Sequence, residues 1–108
     1  MAWLAPLLWR LDSYWKALRS EVPWVRKPPS EYVADHVRLG TQPLERPDDD
    51  AQFLQLLEML DAKRILMFSS DYPHWDFDSP TRAFPRLDDD VREAIFSTNA
   101  RELYQLDQ

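Results

Sequence analysis

The sequence predicts an α/β fold containing a parallel strand pair, on three observations. Helical and strand-like segments alternate along the chain. A continuous apolar run, Ile65-Leu66-Met67-Phe68, has the length and pattern of a strand covered on both faces. Ahead of it, a strand-like segment and an amphipathic helix complete one βαβ unit, whose crossover makes the two strands parallel. Two strands do not make a self-sufficient parallel sheet. The expectation is therefore a section of a larger α/β fold, completed by residues on its N-terminal side or by another chain.

The elements follow in order. Trp3, Leu4, Leu7, Leu8, Leu11, Trp15 and Leu18 recur at helical spacing with Arg10, Ser13, Lys16 and Arg19 between them, so residues 5–20 read as an amphipathic helix with Pro6 in its first turn. Pro23, Pro28 and Pro29 interrupt it, and Ser30 reads as the cap of a short helical turn over 31–35. Residues 36–41 alternate as a short strand closed by Pro43. Asp48, Asp49 and Asp50 put negative charge at an electropositive helix start. Phe53, Leu54, Leu56, Leu57 and Leu60 then give a buried stripe up to about Asp61. After the second strand, residues 70–85 read as irregular. Asp88, Asp89 and Asp90 repeat the acidic start, Val91, Ala94 and Ile95 give a face, and Asn99 is expected to cap a last helix reaching Leu106.

Composition narrows the function classes. The chain has 108 residues, 44% hydrophobic and 30% charged, which is one domain at most. Its formal net charge of -6 and the lack of a dense basic block argue against nucleic acid as a partner. There is no cysteine, so disulfides, thiolate catalysis and cysteine-based zinc sites are excluded, and a reducing cytoplasm is the expected compartment. No apolar run approaches the roughly 18 residues of a membrane span, so no membrane partner is expected.

Chemistry is expected where a parallel strand ends, because loops there vary without disturbing the core. The segment 69–80 follows the second strand, and within it Asp71 is the leading functional residue. A carboxylate at the end of a buried strand must be paired, hydrogen-bonded or metal-bound. Asp71 therefore reads either as a metal ligand or general base, or as a structural carboxylate held by backbone amides. His74 has three functional readings, a donor that orients a metal ligand, a substrate contact or a ligand itself, against a packed structural residue between Pro73 and Trp75. Asp76 and Asp78 have the spacing of a calcium loop but lack its glycine and closing glutamate, and read as solvated turn residues. His36, at the opposite end of its strand, reads as structural. Trp3, Trp9 and Trp15 read as core or interface anchors. With two histidines and one well-placed aspartate, the chain does not assemble a catalytic metal site from its own residues.

The run from Ile65 through Ser69-Ser70-Asp71-Tyr72-Pro73-His74-Trp75-Asp76 closely resembles the last barrel strand and following loop of the amidohydrolase-related family. That family includes metal-dependent hydrolases and nonoxidative decarboxylases related to aminocarboxymuconate semialdehyde decarboxylase. Ile95-Phe96-Ser97-Thr98-Asn99-Ala100-Arg101-Glu102-Leu103-Tyr104 resembles the family's closing helix. Glu21-Val22-Pro23-Trp24 and Pro29-Ser30-Glu31-Tyr32 are similar to the stretch before its seventh strand. The resemblance covers essentially the whole chain. It implies that residues 1–108 are the C-terminal section of a (β/α)8 TIM barrel, which takes roughly 200 to 250 residues when complete. It further implies that Asp71 binds the catalytic divalent metal, zinc or manganese, and handles the proton of a metal-bound water. The family's H-x-H pair and later histidines are not among these residues. The chain alone is expected to be inactive, acting on a small-molecule substrate only when an N-terminal section or complementing chain supplies those ligands. A non-catalytic, oligomerising or partner-binding α/β module is the alternative expectation, and a chain only partly folded by itself is a third.

Overall fold

A computed structural model describes residues 1–106. Its order is α1 (Leu4–Ala17), α2 (Pro29–His36), β1 (Leu39–Gly40), α3 (Asp50–Met59), α4 (Ala62–Ile65), β2 (Leu66–Met67), α5 (Asp89–Glu93), a π-helical turn (Ala94–Thr98) and α6 (Asn99–Tyr104). The chain is helix-rich with a small parallel sheet in which Leu39 pairs with Leu66 and Gly40 with Met67. This is compatible with a partial α/β domain.

The acidic start of α3 is as expected. Asp49 is its N-cap and accepts from the Ala51 N–H at 2.7 Å, satisfying a donor the helix cannot use internally. At the start of α2 the expectation fails. Pro29 takes the first helical position, where its missing N–H costs nothing, so Ser30 lies inside the helix. The cap comes from α1, where the Asp12 carboxylate accepts from Ser30 N–H at 2.9 Å and Ser30 Oγ at 2.7 Å. One carboxylate both caps α2 and ties it to α1.

Both strands are shorter than expected. His36 ends α2, and Ile65 belongs to α4, where its N–H donates to Asp61 O at 3.1 Å. The ladder is continued by other groups. Thr41 N–H donates to Met67 O at 3.0 Å, and Ser69 N–H to Thr41 Oγ1 at 3.1 Å. Gln42 N–H donates to Ser69 Oγ at 3.1 Å. Gly40 permits this clasp, because a Cβ there would lie 2.9 Å from Ser69 Oγ. On the other edge of β2, Phe68 N–H donates to the Ile95 carbonyl of the π-helical turn at 2.8 Å. The wider helical turn frees a carbonyl that the strand uses.

That turn also corrects the reading of Asn99. Thr98 and Asn99 both keep right-handed helical angles, so the closing helix runs on without a fresh start. Asn99 is buried, and its Nδ2 donates to Lys63 O at 2.9 Å and Leu66 O at 2.8 Å. It joins α6 to the end of α4 and the start of β2. Asn99→Ala leaves both carbonyls without this donor and is expected to lower stability by about 2 to 3 kcal/mol, read from urea unfolding. An unchanged midpoint would remove Asn99 from the list of structural ties.

The core gathers Leu4, Ala5 and Leu8 of α1, Phe53, Leu57 and Leu60, then Ile65, Leu66 and Ile95. Ala83, Phe84 and Leu87, in a segment without regular structure, are also buried there. The anticipated stripes are narrower than their spacing suggests. Leu54 is exposed on α3, while Trp3, Leu7, Trp9, Leu11 and Leu18 are exposed on or beside α1, so Trp3 and Trp9 are not core anchors. Trp15 is half-buried, with its indole N–H donating to Val25 O at 2.9 Å. Among the described residues, no helix is long and apolar enough to cross a membrane.

Candidate functional site

The loop leaving β2 is closed at its base by Asp78 N–H donating to Ser70 O at 2.8 Å. Asp71 lies within it at φ 59, a left-handed conformation that aspartate tolerates better than most side chains. The next turn closes on it. His74 N–H donates to Asp71 O at 2.9 Å, and His74 Nδ1 lies 2.9 Å from Asp71 Oδ2. Nδ1 engages the carboxylate, and Nε2 has no hydrogen-bond partner among the described residues. Sequence spacing places two of the candidate residues in one loop; the turn brings their side chains together.

Neither residue is buried as anticipated. The Asp71 side chain is 43% exposed and that of His74 is 68% exposed. β2 stops at Met67, four residues before Asp71, so the carboxylate does not stand at the end of the buried strand. His74 is not a packed structural residue. Asp76 completes the group: one ligand atom each from Asp71, His74 and Asp76 lie within 4.8 Å of one another, all on exposed residues. These three residues offer donor atoms that could hold a metal ion. His36 ends α2 and is not part of this group.

Sequence reasoning missed how the loop is held. Gln42, just after β1, donates from Nε2 to Asp76 O at 2.8 Å, joining the loops at the C-terminal ends of the two strands. Tyr72 and Phe77 meet edge to face at 5.5 Å across the loop, while Trp75 is 94% exposed. An amide side chain beside a strand end carries no spacing signal, and only the parallel pairing puts Gln42 opposite Asp76.

Asp78 also departs from its reading as a solvated turn residue. Its Oδ2 is buried without a hydrogen-bond partner. Burial pushes its carboxyl above the usual range, opposed by the Leu44 N–H and reinforced by the charge of Asp76. A raised folded pKa favours the fold fully below the ordinary carboxylate value and loses that contribution as pH rises through the raised one. Asp78→Asn removes this cost of ionisation. Its melting temperature relative to the parent is expected to be more favourable at about pH 7 than at about pH 3. The same difference at both pH values would contradict the assignment.

Beyond this geometry, the sequence model of the amidohydrolase family matches residues 2–106. The chain belongs to the amidohydrolase family. No curated protein matches it closely enough to be informative. The family match spans α1 to the end of α6, so the loop carrying Asp71 and His74 belongs to the amidohydrolase-like part of the chain.

Proposed function

We propose that this amidohydrolase-family chain supplies one metal-binding carboxylate, Asp71, to a metal-dependent hydrolase site, with His74 as the positioning residue that orients it. The observation carrying this reading is the 2.9 Å contact of His74 Nδ1 with Asp71 Oδ2 at the end of β2. A histidine that fixes one oxygen of a carboxylate leaves the other turned to a metal, the usual relation of an outer partner to a ligand. The exposure of Asp71 leaves room for ligands from elsewhere.

In this reading β1 and β2 are the last two strands of a (β/α)8 barrel, and preceding barrel strands supply the histidine ligands. The divalent ion, zinc or manganese, would lower the pKa of a bound water and polarise the bond to be cleaved in a small-molecule substrate. Asp71 would hold that ion and accept the proton, and Gln42 would keep the loop in place. The run from Ser69 to Trp75 supports a second reading within the family, nonoxidative decarboxylation, in which the same residues serve a substrate carboxylate. The lack of cysteine fits a cytoplasmic setting.

The test is metal content per chain by mass spectrometry, measured on the chain alone and after mixing with an amidohydrolase N-terminal section carrying the H-x-H pair. One ion per assembled site together with metal-dependent turnover is the expected result. An assembly that turns over substrate after complete chelation, or that retains no ion, would overturn the proposal.

A further inference from the structure

Thr41 directly follows β1 and is 1% exposed, and the proposed site makes no use of it. A buried hydroxyl needs hydrogen-bond partners, and both bonds of this one go to a single residue. The next rung of a parallel ladder would take Ser69 N–H to the Thr41 carbonyl. It goes instead to Thr41 Oγ1 at 3.1 Å, and that hydroxyl donates to Ser69 O at 3.4 Å. Ser69 Oγ in turn accepts from Gln42 N–H at 3.1 Å. The far side of the Asp71 loop is held from the same stretch of chain. Gln42 Nε2 donates to Asp76 O at 2.8 Å, and Leu44 N–H meets the Asp78 carboxylate.

We propose that the clasp between Thr41 and Ser69 positions Asp71 for metal binding, with Thr41 as its buried positioning residue. This rests on the reading of Asp71 as a metal ligand. Ser69 stands two residues before Asp71, so a rotation of the chain at Ser69 swings the Asp71 carboxylate with only Ser70 between them. Threonine suits the task because its branched side chain holds the hydroxyl in few orientations. A contact that only stabilised the fold could be made anywhere in the core. This one sits where the two strands end and the loop of Asp71 and His74 departs, and a displacement of about 1 Å in a reacting group costs on the order of 100-fold in rate.

Thr41→Val keeps nearly the same shape and removes the hydroxyl. Zinc titration of the chain assembled with an amidohydrolase N-terminal section is expected to show affinity about 3- to 30-fold weaker in this variant, with Thr41→Ser restoring the parent value. Ser69→Ala removes the acceptor of Gln42 N–H at a half-buried position and should weaken zinc binding in the same direction, which keeps the test open if Thr41→Val does not fold. Leu60→Ala, at a residue as buried as Thr41 but ahead of β2, should destabilise the chain without changing zinc affinity. A second readout needs no metal. The chain has two histidines, so His36→Gln tells their ring proton resonances apart, and Thr41→Val should shift that of His74 by loosening its contact with Asp71 while leaving that of His36 in place. An unmoved His74 resonance with unchanged zinc affinity would overturn the inference. Equal zinc losses in Thr41→Val and Leu60→Ala, or a serine variant no better than valine, would also overturn it. A parent assembly that takes up no zinc would defeat the metal reading instead, and the His74 resonance would then decide by itself whether the clasp sets the loop.

Discussion

Asp71→Asn is expected to abolish metal-dependent turnover of the assembled site and to weaken its metal binding by at least about 100-fold, because a neutral amide replaces an anionic ligand at nearly the same shape. The fold should survive. Asp71 is exposed, and asparagine accepts the left-handed angle found there, so stability should change by no more than about 0.5 kcal/mol. His74→Ala separates the two roles. It removes the contact that orients Asp71 Oδ2 but leaves the carboxylate, so a loss of about 10- to 100-fold in metal affinity is expected. Metal titration of the assembled site checks both variants. Unchanged affinity in Asp71→Asn would defeat the assignment, and equal losses in both variants would defeat the division between ligand and positioning residue.

Phe53→Ala should have the largest effect on folding. Phe53 is fully buried, its ring lies 5.8 Å from that of Phe84, and the Arg46 guanidinium covers it at 5.4 Å. Truncation loses this burial and opens a cavity where α3 meets the segment around Phe84, at a cost of about 3 to 5 kcal/mol. A domain of this size holds about 5 to 15 kcal/mol in total, so the urea midpoint should fall by more than about 1 M. Its neighbour makes the control. Leu54 is exposed one position along the same helix, and Leu54→Ala should cost less than about 1 kcal/mol. Comparable losses at the two positions would mean that α3 packs through a different face.

Ionic contacts add a weaker, pH-dependent component. The hydrogen bond from Lys27 holds Asp35 below the usual carboxylate range, and Lys63 does the same for Asp90. The chain's amino group, 3.0 Å away, lowers Glu45. These contributions are present above the ordinary carboxylate pKa and fade as pH falls through the lowered values, opposite in sign to Asp78. All three carboxylates are solvent-exposed, so each contact is modest.

Local order and the position of the candidate site are legible in the chain because both depend on neighbours in sequence. The acidic triplets start helices since backbone N–H groups at a helix start need acceptors, and Asp49 supplies one. The apolar run before Asp71 gives way to a loop where the polar residues Ser69, Ser70 and Asp71 succeed it. Asp71 and His74 are three residues apart, close enough for one turn to join them. What spacing leaves open is which of several apolar faces becomes core. Leu7 and Leu11 obey the same period as Leu4 and Leu8, but only the latter are buried in the core cluster that also holds Phe53 and Leu57. Asn99 has the composition of a cap, yet the partners that use its amide lie more than thirty residues away. Ser30 likewise yields its role to Asp12 across eighteen positions. Hydrogen-bonding capacity is a property of the residue. Its partner is set by packing, because burial rewards whichever distant donor and acceptor the assembled helices bring within reach, and that choice is made only in the tertiary structure.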